Sequence, residues 1–179
     1  LTLTTTNYVD GNLYGLLDQN CKLLLPANYS QIRVKTDVAE LTTKGINKTK
    51  IVYCTSGKQF PLPDGTELEA SVNGAKNQFI LKNQNSLIFQ SGNKTSTIIS
   101  YSDTDYVYML SPVRKGDGVY FSLFKNDDVA IYKIEKETII IVSPFGRNSN
   151  KMEVEYGVSY VKNDSSYNYI NAFGIEAVP

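Results

Sequence analysis

Apolar and aromatic residues along this chain come in short runs that polar, turn-forming residues separate. Leu68, Ala70 and Val72 alternate with polar residues, which is typical of a strand that has one solvated face. Runs rich in aromatic and β-branched residues, such as 106–110 and 119–124, also favour strands. Nowhere do apolar residues keep helical spacing over several turns. The pattern therefore predicts an all-β protein with very little helix.

Turn-forming residues indicate where the predicted strands end. Asn73-Gly74 is the strongest short hairpin signal in the chain and predicts a type I′ turn. Pro61 and Pro63 keep their segment off any central strand, because proline has no N–H to offer a sheet. The most apolar run, residues 139–142, is expected to form a central strand.

Successive strands joined by short polar turns predict an antiparallel hairpin meander. The sequence leaves open whether this meander is a degenerate array of hairpin repeats, a β-sandwich or a β-barrel. Residues 1–179 are predicted to form a single β-rich domain, and a subdivision would fall near the polar segment 91–96. A chain of this length buries roughly 70% of its unfolded surface, so it needs neither metal nor disulfide to fold.

Residues 13–32 (LYGLLDQNCKLLLPANYSQI) contain the clearest hairpin-sized unit. Residues 14–17 read as a strand, 18–20 are turn formers, and 23–25 make the returning strand. Pro26 ends that strand, since it cannot donate a hydrogen bond to the sheet.

This unit resembles the bacterial WG repeat, whose consensus is roughly aromatic-Gly-(Phe/Leu)-Ile-Asp-Lys-x-Gly-Lys-x-(Val/Ile)-Ile-Pro-x-x-Tyr-x-x-Ile. The positions that match are Tyr14, Gly15, Leu16, Leu17, Asp18, Lys22, Leu25, Pro26, Tyr29 and Ile32. Cys21 departs from it by standing where the family has its turn glycine, and the chain has no Trp. The resemblance implies a binding or structural element without catalytic residues.

A weaker relative of the unit closes the chain, because residues 167–179 align without a gap to residues 14–26. Gly174 then lies opposite Cys21 and supplies the turn glycine. Three fainter copies are 50–62 with Gly57 in the turn, 78–90 with Asn85, and 121–133 with Asp128. The competing interpretation is that any hairpin meander produces this self-similarity.

Most residue types and motifs that enzymes use for catalysis are absent from this chain. The chain has no His, which removes Ser-His-Asp and Cys-His triads and the commonest metal ligand, and two Cys cannot supply a Cys₄ zinc site. No cofactor is expected. Carboxylates in turns remain as weak calcium candidates, because calcium prefers hard oxygen ligands. These residues are Asp103, Asp105, Asp127 and Asp128, and the first two would also serve a His-free hydrolase.

The net charge limits the classes of partner that this chain could bind, and the two cysteines bear on its stability. Eighteen basic and eighteen acidic residues give zero formal net charge, which argues against nucleic acid as the main partner. No apolar stretch is long enough for a transmembrane helix. Cys21 and Cys54 have two interpretations: a disulfide stabilising the fold by about 3–4 kcal/mol, or two free thiols.

The abundant Tyr residues are mostly expected in the core, but exposed ones suit a recognition surface. The candidates for binding are Tyr14, Tyr29, Tyr106, Tyr108, Tyr167 and Tyr169. The leading hypothesis is a non-catalytic, protein-binding module of an exported bacterial protein, whether periplasmic, secreted or at the cell surface. The start at Leu1 fits a mature chain after signal removal or a fragment. The alternatives are a ligand- or glycan-binding sandwich or barrel and the His-free hydrolase.

Overall fold

The computed structural model describes residues 5–35, 37–46, 48–110, 112–126, 128–143, 158–163 and 166–171. In these residues the chain is nearly all antiparallel strand, and its one helical element is a single 3-10 turn, Gly74–Lys76. This confirms the predicted all-β meander with very little helix. No helix in this part of the chain has the length and apolar character to cross a membrane.

The chain divides into two compact units, Leu1–Ile99 and Ser100–Pro179. The first unit begins with a six-stranded sheet in which strands adjacent in sequence are also neighbours in space. Its strands are β1 (Thr5–Asp10), β2 (Leu13–Asp18), β3 (Leu23–Lys35), β4 (Val38–Thr43), β5 (Lys50–Cys54) and β6 (Gln59–Pro61). The proline-bearing β6 lies at the edge of the sheet, where its missing N–H costs no ladder bond.

Strand β3 is long and pairs with two neighbouring strands. Its first part pairs with β2, and its second part pairs with β4 after a register shift between Tyr29 and Gln31. Bulges of this kind bend a strand and increase its local twist. One face of the bent sheet buries an apolar cluster. Its members are Leu16, Leu25, Ile32, Ala39, Leu41 and Tyr53.

The other face of β4 and β5 packs on a second, four-stranded sheet in the same unit. Its strands are β7 (Glu67–Asn73), β8 (Gln78–Lys82), β9 (Ser86–Ser91) and β10 (Lys94–Ser100), in the order β10-β9-β8-β7. The cluster shared by the two sheets consists of Val38, Val52, Cys54, Leu62, Leu68, Phe79 and Leu81. The first unit is therefore a two-sheet sandwich, and neither sheet closes into a barrel among its described strands.

The connection between β7 and β8 differs from the predicted type I′ turn at Asn73-Gly74. The chain instead makes the 3-10 turn Gly74–Lys76, and Asn77 takes the left-handed conformation with φ 54°. Gly74 packs against the core, since a Cβ built there would lie 2.9 Å from Cγ1 of Val38. Close packing of the Gly74 backbone, rather than a need for positive φ, accounts for this glycine.

The second unit contains a sheet organised around one long strand. Its strands are β11 (Val107–Met109), β12 (Val113–Lys115), β13 (Gly118–Lys125), β14 (Asp128–Glu135) and β15 (Thr138–Ser143), and a separate hairpin comprises β16 (Val158–Asn163) and β17 (Ser166–Asn171). Strand β13 pairs with β11 and β12 along one side and with β14 along the other.

The prediction that residues 139–142 form a central strand is wrong for the described sheet. They belong to β15, which pairs only with β14 among the described strands. Ile140, Ile141 and Val142 are exposed, and Ile141 most of all at 58%. The prediction relied on apolar composition, which indicates only a tendency towards burial. The position of β15 follows instead from the order of hairpins along the chain, which places β15 last in its meander.

The hairpin in residues 14–26 has the tight turn that the sequence requires of it. The Cys21 N–H donates to the Asp18 carbonyl at 3.0 Å, and the Asp18 N–H donates to the Lys22 carbonyl at 2.9 Å. Oδ1 of Asp18 accepts the N–H groups of Asn20 and Lys22, each at 2.8 Å. Cys21 has φ 60°, the left-handed conformation in which glycine would be unstrained.

The hairpin between β5 and β6 repeats this turn. The Gly57 N–H donates to the Cys54 carbonyl, and the Cys54 N–H donates to the Lys58 carbonyl, both at 2.9 Å. Gly57 has φ 80° and occupies the place of Cys21. The copy at 50–62 thus shares the hydrogen-bond pattern of the first hairpin.

The remaining copies do not extend this pattern. Asn85 does not have a positive φ, and in the hairpin at 121–133 the left-handed residue is Asn126 rather than Asp128. In the copy at 167–179, the turn and the returning strand lie outside the described residues. The structure therefore supports one repeated turn geometry, shared by two hairpins of the first unit.

Replacing Cys21 by Gly is expected to raise the free energy of unfolding by about 0.5–1 kcal/mol. The left-handed conformation costs a non-glycine residue about 1–2 kcal/mol, and the extra freedom of glycine in the unfolded chain returns part of that gain. Gly57→Ala is the matched control and should lower stability by about 1 kcal/mol. Urea denaturation measures both, and a Cys21→Gly protein that is less stable than the native chain would contradict the turn assignment.

Candidate functional site

The tyrosines predicted to bind a partner fall into separate places. Tyr14 and Tyr29 face each other across β2 and β3 in the first unit. Tyr106 and Tyr108 lie side by side in the second unit, with ring centroids 5.5 Å apart. Tyr167 and Tyr169 belong to β17, and their side chains lie outside the described part.

The pair in the second unit is only partly available for binding. The ring of Tyr108 stacks on the buried Phe124 with centroids 4.4 Å apart. Partial burial raises the pKa of Tyr108 above its ordinary value. Tyr106 is 69% exposed, and its backbone N–H donates to Oδ1 of Asn126. Tyr108 therefore packs on the sheet and is still 37% exposed, whereas Tyr106 presents most of its ring to solvent.

Tyr14 lines an open groove of about 500 Å³ on the first unit, here named the Arg33 groove. Its other lining residues are Ser30, Gln31, Ile32, Arg33, Thr42, Lys48, Lys50 and Glu67. A smaller depression of about 260 Å³ shares Lys48, Lys50 and Glu67 with it and continues to Asp64. The two together form one elongated surface with aromatic, cationic and acidic side chains.

Three strands and the segment before β5 place the charged residues of the groove. Arg33 lies on β3 directly opposite Glu40 of β4, Lys50 begins β5, and Glu67 begins β7 of the second sheet. The groove therefore follows the line where the two sheets of the sandwich meet. Sequence reasoning found Tyr14 and missed the charged groups, because isolated charges at strand ends look like ordinary solvated positions.

Glu67 is held by the cations beside it. Nζ of Lys50 lies 2.7 Å from Oε1 of Glu67, and a guanidinium nitrogen of Arg33 lies 3.7 Å from Oε2. The hydrogen bond from Lys50, and then the positive charges of Lys50 and Arg33, lower the pKa of Glu67 despite an opposing contribution from burial. Lys50 and Glu67 thus neutralise each other within the groove.

Arg33 and Lys48 remain as cations with unused donors. The Arg33 side chain is 48% exposed, and its distances of 3.7 and 3.9 Å to the nearest carboxylates are too long for hydrogen bonds. Lys48 is exposed and has no ion pair or hydrogen bond to the described residues. The groove therefore offers positive charge and free N–H donors to an anionic group.

A buried carboxylate fixes one wall of the groove. Glu40 is 2% exposed, and its Oε2 accepts the Leu68 N–H at 2.6 Å. Nζ of Lys35 donates to the carbonyl oxygens of Leu68 and Glu69 at 2.5 and 2.9 Å. Strand β7 is an edge strand of its sheet, so these two side chains satisfy backbone groups that have no strand partner there.

Of the acidic residues proposed as calcium ligands, Asp105 is engaged by protein donors. Its carboxylate accepts the N–H and hydroxyl of Ser102 and the side-chain amide of Asn126, and Nζ of Lys125 lies 3.2 Å away. These bonds, the Ser102 N–H first, hold the pKa of Asp105 well below its usual range. Asp105 therefore closes a turn and ties it to the turn between β13 and β14.

Asp103 and Asp128 are not gathered around Asp105 into a ligand set. No group of three or more His, Cys, Asp or Glu side chains suited to a metal ion occurs among the residues that the structure describes. Asp103 lies in the same turn as Asp105, Asp128 begins β14, and Asp127 lies outside the described residues.

Both cysteines are free thiols. Of the two interpretations that the sequence left open, the structure therefore has the free thiols and not the disulfide. Cys21 is exposed, whereas Cys54 is buried and donates from its thiol to the Gly74 carbonyl at 3.3 Å. Burial, followed by the nearby charge of Asp37, raises the pKa of Cys54 to about 11. A thiol with so high a pKa is a poor nucleophile at neutral pH.

Lys50→Met should raise the pKa of Glu67 towards the ordinary Glu value of about 4.3. Because the native pKa is lowered, the Lys50–Glu67 pair stabilises the fold above the ordinary Glu pKa and loses that contribution as the pH falls through the native value. Carboxyl-carbon NMR titration measures the shift. An unchanged Glu67 titration in Lys50→Met would contradict the assigned hydrogen bond.

Asp105→Asn should make the second unit less sensitive to acid. The native pKa of Asp105 is depressed, so its stabilising effect is complete above the unfolded value of about 3.9 and disappears as the pH falls further. The variant lacks the charge at every pH and should show lower stability at pH 7 with a shallower decline below pH 4. Thermal melting against pH tests this, with Asp103→Asn as the control from the same turn.

Neither a protein-family model, nor a curated protein, nor a solved structure matches this chain. The resemblance of residues 14–32 to the WG repeat therefore stays a prediction from sequence.

Proposed function

We propose that this chain is a non-catalytic, protein-binding module that uses the Arg33 groove of its first unit. The observation that carries the proposal is the grouping of Arg33 and Lys48, whose N–H donors have no hydrogen-bond partner among the described residues, beside the partly exposed Tyr14. Tyr and Arg are enriched at protein interfaces, because each combines a large contact area with hydrogen bonding.

Three features favour binding over catalysis. The chain has no His to act as a general base near neutral pH. The Cys54 thiol is buried and has a raised pKa. The Asp105 carboxylate is occupied by hydrogen bonds within its turn. None of these groups is poised to attack or deprotonate a substrate.

The WG-like hairpins fit the same proposal. The left-handed residues Cys21 and Gly57 occupy equivalent places in two hairpins of the first sheet, as an array of related units would require. We further propose that the module belongs to an exported protein, from its high content of Tyr, Asn, Ser and Thr, and to a bacterial one, from its resemblance to the WG repeat.

Selection from a displayed library of random peptides tests the proposal, with a glycan array probed in parallel. We expect the native chain to bind peptides that Lys48→Glu no longer binds, since the substitution reverses a charge in the groove. Lys76→Glu is the matched control, because Lys76 is exposed in the same unit outside the groove lining and should leave binding unchanged.

Two results would contradict the proposal. One is the absence of any peptide ligand, and binding to glycans in the same experiment would then support the glycan-binding alternative. The other is peptide binding that Lys48→Glu leaves intact, which would place the interaction outside the Arg33 groove.

A further inference from the structure

The charges of the Arg33 groove are arranged unevenly along its length. Arg33 lines only the larger depression, Asp64 lines only the smaller one, and Lys48 lines both. Between them, Lys50 and Glu67 pair at 2.7 Å and cancel each other. The groove therefore has the Arg33 guanidinium towards one end and the Asp64 carboxylate towards the other.

Two carboxylates attract the guanidinium of Arg33 but form no hydrogen bonds with it. It lies opposite Glu40 across the β3–β4 ladder, and its guanidinium is 3.9 Å from that buried carboxylate and 3.7 Å from Glu67. Both carboxylates attract the guanidinium, yet neither takes its N–H donors. A planar guanidinium with free donors binds a carboxylate through two parallel hydrogen bonds, an arrangement that lysine cannot reproduce.

We infer that the groove binds an extended polypeptide segment through an Asp or Glu side chain of the partner, which docks on Arg33 with Lys48 beside it. This inference rests on the proposed function and adds the recognition chemistry. The rest of the segment runs over the Lys50–Glu67 pair towards Asp64, where a basic or neutral residue of the partner fits best.

A mixed-charge polypeptide suits this groove better than a uniform polyanion does. Asp64 and Glu67 alternate with Lys48 and Lys50 on this surface, so a uniform row of negative charges along a nucleic acid or an acidic polysaccharide would meet both signs. The whole chain also has no net positive charge to attract such a polymer.

The test uses the peptides selected above and their counterparts with each Asp or Glu replaced by Asn or Gln. We expect acidic residues to be enriched at one position of the selected peptides. Removing that carboxylate should weaken binding about tenfold or more, as the loss of a charge-assisted hydrogen bond does. Fluorescence anisotropy of labelled peptides measures the affinities, which should fall as salt is raised.

Arg33→Lys is the diagnostic variant, because it keeps the positive charge next to Glu40 and removes only the fork of donors. It should bind the acidic peptide about tenfold more weakly than the native chain and the amide counterpart equally well. Lys48→Gln provides a second variant at a residue without a described partner and should weaken acidic peptides alone. Thermal melting confirms that each variant is folded.

The outcomes separate this inference from the proposed function. Selected peptides without an acidic preference, or acidic peptides bound equally by Arg33→Lys, would overturn the inference and leave peptide binding standing. Equal or tighter binding of polyglutamate or heparin would overturn it as well. Failure of every peptide to bind would overturn the proposed function and the inference together.

Discussion

The buried carboxylate of Glu40 is the contact on which the first unit depends. Removing a carboxylate from water costs several kcal/mol unless hydrogen bonds and an opposite charge compensate. Here the Leu68 N–H lies 2.6 Å from Oε2, and Arg33 lies at the groove side of the same carboxylate. Lys35 binds the neighbouring carbonyl groups of β7. Charged side chains of the first sheet therefore stabilise the edge of the second.

The Arg33 groove follows from this junction. Since Glu40 and Lys35 fix β7 against β3 and β4, Glu67 at the start of β7 lies within reach of Lys50 and Arg33. Lys50 is neutralised, and Arg33 keeps its donors free. The same contacts also cover one side of an edge strand, which protects it from pairing with other chains. Structural stability and the proposed recognition site thus share one set of charges.

Local features of this architecture could be predicted from the sequence, whereas long-range ones could not. Alternation at residues 68–72 gave the strand, and the polar turn before Cys21 gave the hairpin, because both depend on neighbouring residues. The edge position of β15 depends on the order of hairpins in its sheet. The Arg33 groove depends on contacts such as that between Glu40 and Leu68, which lie 28 residues apart and leave no local pattern.

Hydrogen exchange at the Leu68 amide, followed by NMR in the native chain, tests this account most directly. Leu68 belongs to an edge strand, and its N–H donates to a side chain instead of a neighbouring strand. If Glu40 holds the two sheets together, this amide should exchange as slowly as the amides of the central strand β8, since both open only when the sandwich opens. Exchange as fast as that of a solvent-exposed edge amide would contradict the account.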